Sequence, residues 1–139
     1  MTDASSATAA APTASVSTAI KVAVPSDSDQ GLASTRSGHF GRSPYFTVAT
    51  VENGFVRAVE VVKNVDHDAT GCGGVIRHVQ TLGIDALVVR GMGRPPFTAL
   101  TNAGVAVYID GAAPTVADVL DRFVAGALPR MTLDQACVH

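Results

Sequence analysis

The chain reads as an α/β domain built on a mixed sheet, and three features of the sequence carry that reading. Short runs of β-branched residues alternate in its second half with segments whose apolar residues recur at helical spacing. An Asn53-Gly54 pair between two β-rich runs marks an early hairpin. Glycine-containing turns punctuate the elements throughout.

The bulk properties narrow the function. With 139 residues the chain suits one domain with a proper hydrophobic core. A hydrophobic share of 47% against 16% charged is globular, and no apolar run reaches the roughly 18 residues of a membrane span, so no membrane partner is expected. The formal charge is −2 and the Lys and Arg are scattered, which leaves no basic footprint for nucleic acid. Aromatics at 5% and the lack of Trp also leave single strands without stacking platforms. Two cysteines are too few for a secreted disulfide scaffold and fit a cytoplasmic protein with a thiol or ligand pair.

Residues 1–19 are almost wholly Ala, Ser and Thr, and are expected to form a disordered tail. They lack the basic residues and compact apolar region of a secretory signal. Ile20 to Val24 is the first strand, stopped by Pro25, with turn residues from Ser26 to Gly31. Tyr45 to Val51 and Phe55 to Val62 pair as the hairpin. Lys63 to Gly73 is an irregular polar loop leading to a helix with Val75, Ile76, Val79 and Leu82 on one face, ended by Gly83. Ala86 to Val89 is a buried strand. The turn Gly91-Met92-Gly93-Arg94 leads to a short helix from Pro95 to Ala103, and Val105 to Ile109 is the last strand. Thr115 and Asp118 form a capping box ahead of Val116, Val119, Leu120, Phe123 and Val124. The domain therefore spans 20–126, and 127–139 reads as a mobile C-terminal tail.

This order, β-β-β-α-β-α-β-α, makes strands one, four and five parallel, with strand two antiparallel to strand one. The loops 26–31, 38–42, 67–74, 91–94 and 110–112 then share the carboxyl edge of the sheet, where open α/β sheets bind ligands. Glycines around His39-Phe40 permit positive φ and close backbone approach. The His39 imidazole suits iron, copper or zinc, or else simply bonds backbone carbonyls in its turn. Cys72, between Gly71 and Gly73, is expected beside a helix N-terminus, which favours a metal-binding thiolate over a small buried hydrophobe. Gly91-Met92-Gly93-Arg94 is too short for a dinucleotide fingerprint. Cys137 and His139 form a Cys-x-His pair near the C-terminus; His67 is a weaker candidate and His78 a helix residue. Strand one offers Lys21 and apolar residues, not the clustered carboxylates of a two-metal nuclease.

Four stretches, His39-Phe40-Gly41-Arg42-Ser43, Gly71-Cys72-Gly73, Gly91-Met92-Gly93 and Ala103-Gly104-Val105-Ala106-Val107-Tyr108, resemble in order and spacing the dinitrogenase iron-molybdenum cofactor biosynthesis family of NifX and NafY type. The resemblance covers Ile20 to Gly126. It implies a ribonuclease H-like fold with strand order 3-2-1-4-5 and three helices. It also implies non-enzymatic binding or carriage of an iron-sulfur or iron-molybdenum-type cluster, accessory to cofactor biosynthesis, with cluster donor or acceptor proteins as partners. On that implication Cys72, His39, Cys137 and His139 are the candidate metal ligands. Gly38, Phe40, Gly41, Arg42, Gly71, Gly73, Gly91, Met92, Gly93 and Arg94 are the candidate cradle, with the Arg42 guanidinium facing an anionic cluster. The three-cysteine motif of the members that build clusters by radical chemistry is missing here, so assembly chemistry is not implied. Two alternatives stay open: a mononuclear metal or redox-thiol protein using Cys72, Cys137 and His139, and a small-anion sensor.

Overall fold

The computed structural model of the chain describes residues 19–65 and 67–135, with the backbone alone for 67–72. The expected N-terminal tail up to residue 18, the side chain of Cys72, and both Cys137 and His139 lie outside the described residues. Five strands, β1 (Ile20–Ser26), β2 (Tyr45–Glu52), β3 (Phe55–Lys63), β4 (Ala86–Val89) and β5 (Ala106–Ile109), form one sheet in the order β3-β2-β1-β4-β5. β1 runs antiparallel to β2 and parallel to β4, and β4 runs parallel to β5. The mixed sheet and its order are those expected.

Alternation along the strands creates a core on each face. Ala23, Phe46, Val48, Leu87, Val89 and Val107 face α1 (His67–Gln80) and α2 (Arg94–Asn102), packing with Val75, Val79, Phe97 and Leu100. Val22, Val24, Ala49, Val51, Ala86 and Val88 face the other way, onto Val116, Val119 and Leu120 of α3 (Val116–Val124). Because every residue of β4 is buried, this strand reads in sequence as an unbroken apolar run. No helix among the described residues is long and apolar enough to cross a membrane.

Local chemistry explains the junctions. Asn53 (φ 55°) and Gly54 (φ 80°) take left-handed conformations in the two-residue turn between Glu52 and Phe55, as an Asn-Gly hairpin requires. At the start of α3 the Asp118 N–H donates to Thr115 Oγ1 at 3.2 Å, and that hydroxyl donates to Asp118 Oδ2 at 2.9 Å. β1 continues through Pro25 to Ser26, beyond the expected stop. Pro25 has no N–H to pair, but its carbonyl accepts the Ser37 N–H at 2.8 Å.

Two expectations need correction. Lys63 to Gly73 is not an irregular loop throughout, because α1 begins at His67, so Gly71-Cys72-Gly73 lies inside the helix. Each glycine costs a helix about 1 kcal/mol. Packing of Val75 and Val79 beneath the sheet outweighs that local preference, as tertiary contacts commonly do. Residues 127–135, read as the start of a mobile tail, run beside β5: the Ile109 N–H donates to Pro129 O at 3.0 Å and the Met131 N–H to Val107 O at 2.8 Å. Leu128 and Met131 are buried in the two cores, and the Arg130 guanidinium lies 5.5 Å from the centre of the Tyr108 ring. Thus β5 is covered on its outer side, while among the described residues β3 is the open edge of the sheet.

Candidate functional site

The carboxyl edge collects four of the five segments that the sequence pointed to as loops, 26–31, 38–42, 91–94 and 110–112, while 67–74 belongs to α1, and the His39 loop is the most firmly built of them. Phe40 is buried at 5% exposure and meets Phe46 at a ring separation of 5.8 Å, so the loop is staked into the core by one aromatic side chain. The Ser43 hydroxyl donates to Phe40 O at 3.2 Å, and the His39 N–H donates to Ser37 Oγ at 3.1 Å. Asn64, just after β3, closes the loop from the other side. Its Nδ2 donates to Ser43 O at 2.8 Å and Gly41 O at 3.3 Å, and its own N–H donates to Pro44 O at 2.9 Å. The result is an exposed His39 on an anchored backbone, with the exposed Arg42 beside it in sequence.

The second turn contributes differently from the sequence reading. Met92 is 4% exposed and belongs to the core with Val89 and Phe97, so like Phe40 it fastens its loop from within. Arg94 is exposed at the first position of α2. Gly38 does not take a positive φ; a Cβ there would lie 3.7 Å from Arg90 Cδ, an ordinary contact, so conformation does not demand glycine at this position. At Gly91 and Gly111, after β4 and β5, no described residue beyond the immediate chain neighbours comes within 4 Å of where a Cβ would stand, so the backbone there borders open space.

Cys72 is not at a helix N-terminus: with α1 starting at His67 it falls in the second turn, where the macrodipole has faded. That removes the helix-end argument for a thiolate. Gly71 lies in the same turn, and Gly73 follows with a possible Cβ 3.4 Å from Arg77 Nη1. His78, on α1, points inward, with its ring 6.5 Å from the Phe46 ring and its Nε2 buried without a hydrogen-bond partner among the described residues. Among the described residues no three His, Cys, Asp or Glu side chains come together as a metal-holding group.

Sequence reasoning missed the charged cluster at the ends of β4 and β5. The Asp110 carboxylate is buried and accepts from the Ala112 N–H at 2.8 Å, the Ala113 N–H at 3.1 Å and Arg122 Nε at 3.0 Å, with Arg36 Nη2 at 3.7 Å. Burial pushes its pKa up, but the two backbone donors and the Arg122 and Arg36 guanidiniums together outweigh burial and hold it below the ordinary carboxylate value. Burial lowers the pKa of Arg36, Asp110 opposes that, and the nearby Arg90 charge lowers it further. The one signal in the sequence was Asp110-Gly111 directly after a strand, a turn pair whose aspartate can bond the backbone ahead of it.

Comparison with known proteins fits this architecture. The sequence profile of the family described as dinitrogenase iron-molybdenum cofactor matches residues 19–126. A protein of Methanocaldococcus jannaschii is 26% identical over 91 residues, which are 64% of this chain and 73% of that one. The apo form of the orange protein from Desulfovibrio gigas superimposes with a TM-score of 0.70 at 27% identity, over 84% of this chain and 96% of that one. A Thermotoga protein provisionally named after NifB superimposes with a TM-score of 0.67 at 36% identity, over 80% and 92% of the two chains. Since the profile covers the whole sheet and all three helices, the chain belongs to the dinitrogenase iron-molybdenum cofactor family.

Proposed function

We propose that this domain binds an iron-sulfur or iron-molybdenum-type cluster as cargo at the carboxyl edge of its sheet. It does so without chemistry of its own, as an accessory of cofactor biosynthesis that receives the cluster from one protein and passes it to another. The observation that carries the reading is the His39 loop. Its imidazole is exposed while its backbone is pinned by Phe40 and Asn64, so a ligand is bound with little further loss of conformational freedom. Neutral imidazole is a good donor to iron and copper. Arg42 and Arg94, both exposed at the same edge, supply positive charge for an anionic cargo. Membership of the family supports the choice of cargo. Cys72 is the second proposed ligand, with Cys137 and His139 as further donors from the C-terminal end.

The test is anaerobic titration of the apo protein with a molybdenum- or iron-containing sulfide cluster, read by visible absorbance with circular dichroism as the folding control. Wild type is expected to develop sulfur-to-metal charge-transfer bands that saturate. His39→Ala should weaken binding, and Cys72→Ser should largely remove it. Wild-type affinity in both variants would overturn the assignment of these ligands, and uptake of zinc or copper alone at one per chain would favour a mononuclear site.

A further inference from the structure

The segment around Arg36 is inserted where β1 and β4 part. Parallel pairing of these strands is confined to Val22 with Ala86 and Ala23 with Leu87; beyond it Ser26 pairs with Arg36, and Thr35 pairs with Thr115. The chain runs outward from β1 to β2 and β3 on one side and lies in β4 and β5 on the other, so Arg36 stands at the crevice where the strand order reverses. Open α/β sheets take their ligands there.

The Arg36 side chain is 5% exposed, and among the described residues neither Nη1 nor Nη2 has a hydrogen-bond partner. Asp110 is too far, at 3.7 Å, to accept a hydrogen bond from it, and the Asp110 oxygens already serve Ala112, Ala113 and Arg122. Close by is the exposed Arg90, which directly follows β4 and whose Nη1 would stand 3.8 Å from a Cβ at Gly38, two residues on from Arg36; its charge acts on Arg36. Leaving charged donors buried and unfilled is costlier than leaving neutral ones so. A second guanidinium nearby adds repulsion. A ligand with several negative oxygens relieves both at once, since it accepts from the Nη donors and places its charge between the two cations.

We propose that Arg36 and Arg90 form a binding site for a tetrahedral oxyanion of phosphate or sulfate size, held by the buried guanidinium from behind and by the exposed one in front. The long Arg90 side chain moves aside to admit it. The site borders the His39 loop at Gly38, beside which Arg90 lies, but its donors are Arg36 and Arg90 and not His39, so it stands whether or not a cluster binds to the imidazole.

The experiment uses the full chain in chloride buffer at constant ionic strength, titrated with sodium phosphate, sodium sulfate and glycerol phosphate. Arginine Nε–H signals are followed by NMR and melting temperature is the second readout. The expected result is a saturable shift of the Arg36 and Arg90 signals with a matching rise in melting temperature. Glycerol phosphate separates the sources: binding at least as tight as that of the inorganic ions assigns the site to the phosphoryl group of a larger molecule, and weaker binding assigns it to the free ion. Arg90→Gln, at an exposed position, should fold as wild type and bind at least tenfold more weakly, while Arg36→Met should lose saturation. Shifts that rise linearly without saturating, equal effects from added chloride, or wild-type affinity in Arg90→Gln would each overturn the site.

Discussion

Asn64 Nδ2 donates to the carbonyl oxygens of Ser43 and Gly41, at 2.8 Å and 3.3 Å, so the residue that follows β3 holds the loop that presents His39. The side chain does what a further strand pairing would do for a loop that has none. In Asn64→Ala both carbonyls lose that donor, at a cost of about 1–3 kcal/mol. Urea unfolding should show the loss. Hydrogen exchange should quicken in 37–44 while the central amides of β1 and β4 keep their protection under native conditions.

Phe40 anchors the same loop from the opposite side. Phe40→Ala removes a ring packed against Phe46 and leaves a cavity in the α1 and α2 core, so stability should fall by about 3 kcal/mol or more. His39→Ala, by contrast, changes an exposed side chain and should alter stability by less than about 0.5 kcal/mol. A comparison of the two in urea separates anchoring from ligand binding, and equal losses would contradict the division of labour between neighbours.

Asp110 ties β5 to α3 through Arg122, and its lowered pKa makes that tie depend on pH. A carboxylate with a folded pKa below its unfolded one contributes stability above the unfolded value of about 3.9. That contribution disappears as pH falls through the lower folded value. Asp110→Asn should therefore be less stable than wild type near neutral pH by about 3 kcal/mol, because it leaves Arg36 buried without its nearest countercharge. Below pH 4 the gap should narrow. Parallel stability curves for the two proteins across that range would rule out this role for Asp110.

The packing of 127–135 predicts that the domain does not end at Gly126. Met131→Ala should cost about 2 kcal/mol or more, since the side chain is buried in the core that holds Val107 and Leu100. Truncation after Gly126 should lower the melting temperature further, because it also removes Leu128 and the two backbone bonds to β5. An unchanged melting temperature in the truncated chain would show that the segment adds nothing to the fold.

Features governed by neighbours in sequence were legible from the start. Asn53-Gly54 specifies its turn through backbone conformations that few other pairs adopt, and Thr115 with Asp118 caps α3 within one turn of chain. Alternation and helical spacing likewise placed the strands and helices, because burial repeats with the geometry of each element. The resemblance carried by the His39 and glycine stretches then supplied the strand order, which local pattern does not contain.

What only the tertiary structure decided are contacts between residues far apart in the chain. The extension of α1 back to His67 runs against the propensity of its glycines and depends on the sheet beneath it. The cover over β5 requires knowing which strand is left at that edge. Arg36, Arg90, Asp110 and Arg122 come from four separate stretches, and apart from the turn pair Asp110-Gly111, which announces only bonds to nearby backbone, nothing in them marks a charged cluster. Asn64 is the same case. A polar side chain in a loop has many possible partners, and its role is set by which loops the topology carries to one place, where burial makes each unfilled donor or acceptor costly.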